Sequence, residues 1–121
     1  MLAVSITVAR VYEQRQLGRP QQRVLVDRLW PRGLSRDQAD LDWWARDVAP
    51  SSELRRWYGH DPDRFDEFAD RYRGELVEAP AEGALTQLSG LSKRSTLLLL
   101  TATRDLEHSG ATVLKAVLDK M

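Results

Sequence analysis

The sequence predicts an α/β domain of three layers, a small and mainly parallel sheet flanked by helices. Three observations carry this. Two short runs rich in β-branched residues open the chain, helical periodicity fills its middle, and a continuously apolar run, Ser95–Thr101, precedes one last amphipathic stripe.

Residues 3–11 (AVSITVARV) and 22–27 (QRVLVD) read as the first two strands, joined by a polar loop containing Gly18 and Pro20. Ser35 with Gln38 three residues later suits a capping box, and Asp40 or Asp42 suits the start of a helical turn carrying Trp43 and Trp44. Pro50-Ser51-Ser52 opens a short helix with Leu54, Trp57 and Tyr58. Asp61-Pro62 begins a longer one, whose stripe runs through Phe65, Phe68, Tyr72 and Leu76. VEAPAEG (77–83) interrupts the pattern, and Leu85, Leu88 and Leu91 mark a further short helix. The third strand, STLLLLT (95–101), is apolar on both faces and belongs at the centre of the sheet. Asp105 is placed to cap a last helix with Leu106, Gly110, Val113, Leu114, Val117 and Leu118 along one side. No repeat, low-complexity tract or composition shift divides the chain, so residues 1–121 are expected to form a single domain.

Composition narrows the function. The 121 residues are 42% hydrophobic, enough for a core without disulfide or metal staples. The absence of cysteine removes thiolate metal sites and cysteine nucleophiles and fits a reducing, cytoplasmic compartment. Eighteen basic residues balance eighteen acidic ones, which argues against a nucleic-acid coat. The apolar start, MLAVSITVA, lacks a basic leader and reads as strand rather than export signal, and no run is long enough to span a membrane.

The segment Val26-Asp27-Arg28-Leu29-Trp30-Pro31-Arg32-Gly33 is the most unusual in the chain, because a buried-looking strand ends directly in an acid, two arginines and a tryptophan. Ligands of open α/β sheets sit beyond the carboxyl ends of strands. There Arg28 and Arg32 would clamp a phosphate or carboxylate, Trp30 would stack, and Asp27 would orient or act as general base. The competing reading is a structural Asp27–arginine ion pair with Trp30 in the core. Thr101–His108 ends another strand beside it. His108 lies off the apolar stripe and is an acid/base candidate or a solvated residue, with Arg104 an anion contact and Asp105 an anion contact or cap. His60, in Trp57-Tyr58-Gly59-His60-Asp61-Pro62, either closes the preceding helix or becomes a second acid/base group. Two histidines and carboxylates would suffice for a metal, although their spacing fits no known metal motif. Walker A, GxGxxG and GxSxG motifs are absent, and the sequence points to no particular cofactor.

Ala9-Arg10-Val11-Tyr12-Glu13, VDRLWPRG (26–33), Ala49-Pro50-Ser51-Ser52-Glu53-Leu54-Arg55, Trp57-Tyr58-Gly59-His60-Asp61-Pro62, Asp105-Leu106-Glu107-His108 and Val113-Leu114-Lys115 together resemble the DUF488 family, in its YeaO-like branch of small bacterial proteins. The resemblance covers nearly the whole chain. It implies one α/β domain in a bacterial cytoplasmic protein and supplies no reaction. Matched position by position, the family's polar motif residues fall on Arg10, Tyr12, Asp27, Arg28, Trp30, Arg32, His60, Asp61, Asp105 and His108. Relatives commonly read His-Asn where this chain reads His108-Ser109.

Two functions follow as expectations. The first is an enzyme or binding protein for a small anionic molecule, nucleotide or phosphorylated metabolite, with Asp27, His108 and His60 as acid/base candidates. Arg10, Tyr12, Arg28, Trp30, Arg32, Arg104 and Asp105 would be its ligand contacts. The second is a regulatory module binding protein or nucleic acid through Trp43-Trp44 and Arg55-Arg56. The adjacent tryptophans also suggest a pocket wall or a homodimer contact, ahead of an incidentally exposed aromatic.

Overall fold

Leu97, Leu98, Leu99 and Leu100 are fully buried, and the sheet is built around them. The computed structural model describes residues 5–13 and 21–121; the predicted strand start at Ala3-Val4 and most of the predicted loop, 14–20, lie outside it. Four strands, β1 (Ile6–Arg10), β2 (Gln21–Leu25), β3 (Trp43–Trp44) and β4 (Thr96–Thr101), align in the order β1-β4-β2-β3. Every pairing is parallel, with Val8 and Val24 both opposite Leu99 and Val24 opposite Trp43. β4 therefore sits inside the sheet, as a run apolar on both faces requires.

The helices are α1 (Arg36–Ala39), α2 (Ser52–Tyr58), α3 (Phe65–Leu76), α4 (Ala81–Ser92) and α5 (Gly110–Asp119). Ser35 and Gln38 form the reciprocal capping box at α1, Ser51 caps α2, and Asp61 caps a 3-10 turn, Pro62–Arg64, that feeds α3. α2 to α5 bury Leu54, Phe68, Tyr72, Leu76, Leu88 and Leu114 against Val24, Leu97 and Leu99. The opposite face holds a smaller cluster, Ala9, Val11, Leu25, Leu98 and Leu100, closed by Trp30, Leu34, Leu41 and Trp44. Arg23, 5% exposed on β2, fixes α1 to that face by donating from Nε to the Asp40 carbonyl (2.9 Å) and from Nη2 to the Ala39 carbonyl (3.1 Å). Helices, sheet and this thinner cover make three layers.

Three local expectations are corrected. Trp43 and Trp44 form a strand, not a helical turn: the Asp42 and Ala45 amides donate to the Arg23 and Leu25 carbonyls, completing the β2 edge. Alternation then sends Trp43 into the larger cluster and Trp44 into the smaller one, so the two indoles share no surface. α4 begins at Ala81, which confines the interruption to residues 77–80. The cap of α5 is Ser109, whose Oγ accepts from the Thr112 amide, rather than Asp105.

Candidate functional site

The carboxyl end of the sheet is tied together by Asp27. Its Oδ1 accepts from the Thr101 hydroxyl at 2.7 Å, its Oδ2 from the Ala102 amide at 2.8 Å, and its backbone carbonyl from the Trp44 indole at 2.7 Å. One residue thus joins the ends of β2, β3 and β4. Burial raises the Asp27 carboxyl above its ordinary value of 3.8, against the two hydrogen bonds and the positive fields of Arg55 and His60, which pull it down.

Asp27 makes no ion pair with its neighbour. Arg28 turns the other way and donates from Nε to the Pro50 carbonyl (3.0 Å) and from Nη2 to the Ala49 carbonyl (3.1 Å), fastening the loop after β2 to the start of α2. Of its guanidinium, Nη1 has no protein partner among the described residues and is the part left to a ligand. Trp30 is similarly committed. Its indole N–H donates to the Leu34 carbonyl, its edge meets Trp44 at 5.3 Å, and the Arg36 guanidinium lies 4.9 Å over its ring, so packing leaves little of it for stacking.

One wall of the site comes from the end of α2 and the start of α5. Gly59 and His60 both adopt left-handed φ values, 55° and 56°, which turns the chain sharply after α2; glycine does this freely and histidine at a cost. Tyr58 stacks on Phe68 at 4.1 Å, lies 6.2 Å from the His60 ring, and donates its hydroxyl to the His108 carbonyl. His108 sits edge-on to Phe65, with Nδ1 held 2.7 Å from the Asp105 carboxylate, so Nε2 is the nitrogen available to a ligand. Next to it, α5 begins at Gly110. A Cβ there would meet Pro50 Cγ at 3.3 Å and Phe68 Cζ at 3.6 Å, so a larger residue would press the proline ring back at this close approach of the helix end.

The other wall is Tyr12, Leu29 and Arg32. The Tyr12 hydroxyl donates to the Arg32 carbonyl at 3.0 Å, and the Arg10 guanidinium backs the tyrosine ring at 5.0 Å with its buried Nε unpartnered among the described residues.

Between the walls lies a cleft of about 360 Å³. Asp27, Arg28, Arg32 and Trp30 line it, as do Tyr12, His60 and His108. Arg10, Arg104 and Asp105 lie outside the lining: Arg10 acts behind Tyr12, Asp105 behind His108, and Arg104 is exposed. Arg55, Tyr58, Thr101 and Thr103 also line the cleft; the sequence points to their segments without singling out these side chains as contacts of an anion site. Arg55 stands one helical turn before Tyr58, and the two threonines follow the apolar strand; hydroxyls at the exit of a central strand are a signal that could have found them.

Several of the lining residues, Asp27, Arg28, Arg32 and His60 among them, lie in the segments that resemble the family. Residues 5–121 match the family model described as the inactive DUF488-N3 subclade. The chain belongs to the DUF488 family. An uncharacterised protein of Mycobacterium tuberculosis H37Rv is 48% identical over 114 residues, covering 94% of this chain and 93% of the relative, and one of Mycobacterium bovis matches equally. The uncharacterised YeaO protein of Escherichia coli K12 is 32% identical over 111 residues, covering 92% of this chain and 94% of YeaO. No solved structure matches the chain.

In this DUF488 member basic side chains outnumber acidic ones in the cleft lining. Arg28, Arg32, Arg55, His60 and His108 face a single lining carboxylate, Asp27, whose two oxygens already accept hydrogen bonds. The amino-terminal end of α5, at Gly110 and Ala111, opens onto the same space and adds partial positive charge. Among the described residues no group of three His, Asp or Glu side chains could hold a metal ion, and no helix is long and apolar enough to cross a membrane.

Proposed function

We propose that this DUF488 protein binds a small anionic molecule, of the nucleotide or phosphorylated-metabolite class, in the cleft at the carboxyl ends of its strands, and holds it without turnover. The observation that carries the reading is the convergence of three arginines, two histidines and the amino-terminal end of α5 on one cleft of ligand-accommodating size. Asp27 acts as a fixed part of the floor rather than as a base, because both its oxygens already accept hydrogen bonds, from the Thr101 hydroxyl and the Ala102 amide. His108, oriented by Asp105, serves as a cation when protonated. The description of the matched subclade as inactive favours retention of a ligand over chemistry on it. A cysteine-free composition and bacterial relatives support a cytoplasmic setting.

The test is a thermal-shift and calorimetric panel of phosphate, pyrophosphate, sugar phosphates and nucleotides. A ligand at one hundred times its Kd stabilises the fold by about 2.7 kcal/mol, an easily measured shift. Arg32→Ala and Arg55→Ala should each weaken binding about tenfold while moving unfolding by less than about 0.5 kcal/mol. A panel in which no anion stabilises the protein overturns the reading, as does steady conversion of a bound ligand for its no-turnover half.

A further inference from the structure

Four large hydrophobic residues are exposed among those described: Tyr12 (39%), Leu29 (58%), Val77 and Met121. Two of the four, Tyr12 and Leu29, line the cleft. Arg55, His60 and His108 line the cleft around Tyr58 and the start of α5, while Arg32 lines it on the Tyr12 side. Cations thus line both walls, and the exposed apolar and aromatic surface lies on the Tyr12 and Leu29 side, the lip.

The lip is built rather than incidental. The Tyr12 hydroxyl is anchored on the Arg32 carbonyl, and the Arg10 guanidinium backs the ring, so the phenol is held as a fixed plate with its remaining surface open. Leu29 is presented by a loop fastened on both sides: Arg28 is bonded to the Ala49 and Pro50 carbonyls and Trp30 to the Leu34 carbonyl. Ligand clefts are lined largely by apolar and aromatic side chains beside a few placed polar groups, as here. A cleft of about 360 Å³ is also larger than a bare oxyanion needs.

Resting on the anion-binding reading above, we infer that the ligand is a planar ring carrying a phosphate, of nucleoside monophosphate size, with the ring against Tyr12 and Leu29 and the phosphate toward Arg55, His60 and His108. Stacking on an aromatic plate tolerates any base, because every base offers a π face. The lip therefore sets a preference for ring-bearing phosphates over sugar phosphates and gives no choice among bases.

Isothermal titration of the full chain with the four ribonucleoside 5′-monophosphates, ribose 5-phosphate and inorganic phosphate tests this. The monophosphates should bind about tenfold tighter than ribose 5-phosphate. Tyr12→Ser and Leu29→Ser should each shrink that gap while leaving ribose 5-phosphate affinity within about twofold. Tyr12→Phe, which keeps the plate, should retain most of it. Arg55→Ala should weaken all the ligands in parallel. Equal affinity for ribose 5-phosphate and the monophosphates, or a gap untouched by Tyr12→Ser and Leu29→Ser together, overturns the ring subsite and leaves the anion site standing. Failure of every phosphate to bind overturns both.

Discussion

The two faces of the sheet are held by different means. On one, four helices bury twenty of the described residues in a single cluster that includes Tyr72, Leu88 and Leu114. On the other, five buried residues are covered by α1 and by loop residues Trp30, Leu34 and Leu41. Where the thick face is fixed by apolar area, the thin one is fixed by polar ties to backbone carbonyls: Arg23 to α1, Trp30 to Leu34, and Trp44 to Asp27. The cleft opens where the two covers meet. Its wall of Arg55, His60 and His108 comes from the helical side and its lip, with Arg32, from the end of β1 and the loop after β2, so the thin face supplies ligand-facing surface as well as stability.

The sharpest test of that contrast is within β4, where adjacent leucines point to opposite clusters. Leu99→Ala on the thick face should cost about 3–5 kcal/mol, because the helices around it cannot collapse into the cavity. Leu100→Ala, under a cover of loops that can settle, should cost about 2–3 kcal/mol and should also weaken anion binding through the displaced loop of Trp30. Equal losses in urea unfolding, with ligand affinity untouched in both variants, would show that the thin cover is as rigid as the helices and independent of the site.

A smaller effect separates two arginines four residues apart. Arg28→Ala leaves the Ala49 and Pro50 carbonyls without their donors and should cost about 1–2 kcal/mol in chemical unfolding. Arg32 is exposed with no protein partner for its guanidinium among the described residues, so its loss should be felt in ligand affinity and hardly in stability. An Arg28→Ala protein of unchanged stability would show that its two bonds to the Ala49 and Pro50 carbonyls add nothing to the scaffold and that Arg28 serves the cleft alone.

Much of this is legible in the chain. The continuous apolar run of β4 announces the sheet's centre, and the acid and arginines directly after β2 announce the site, since burial of a strand and polarity at its end are both local patterns. Trp43-Trp44 misleads because two residues cannot display a period, and their strand character comes from the β2 edge they complete. Arg28 and Trp30 look like ligand contacts in sequence. Their bonds go to carbonyls 4 to 22 residues away, which no side-chain pattern records. Arg55 escapes notice as a lining residue for the reverse reason, since only the fold of α2 against the sheet brings it near Asp27.

Asp27, at the seam between the two covers, gives the finest test. Burial raises its carboxyl above 3.8, so between that value and the native one the folded chain holds a proton that the unfolded chain has lost. The associated stabilisation is complete below 3.8 and disappears as pH rises through the native value. The amide that Asp27→Asn introduces cannot ionise. The stability of the wild type relative to Asp27→Asn should therefore fall as pH rises through this window, with a slope no steeper than about 1.4 kcal/mol per pH unit, and then level off. Paired urea titrations across the window measure the difference directly. A slope of the opposite sign would mean that Arg55, His60 and the two hydrogen bonds outweigh burial and hold Asp27 ionised, which would make it a working charge of the cleft rather than a desolvated tie across the sheet.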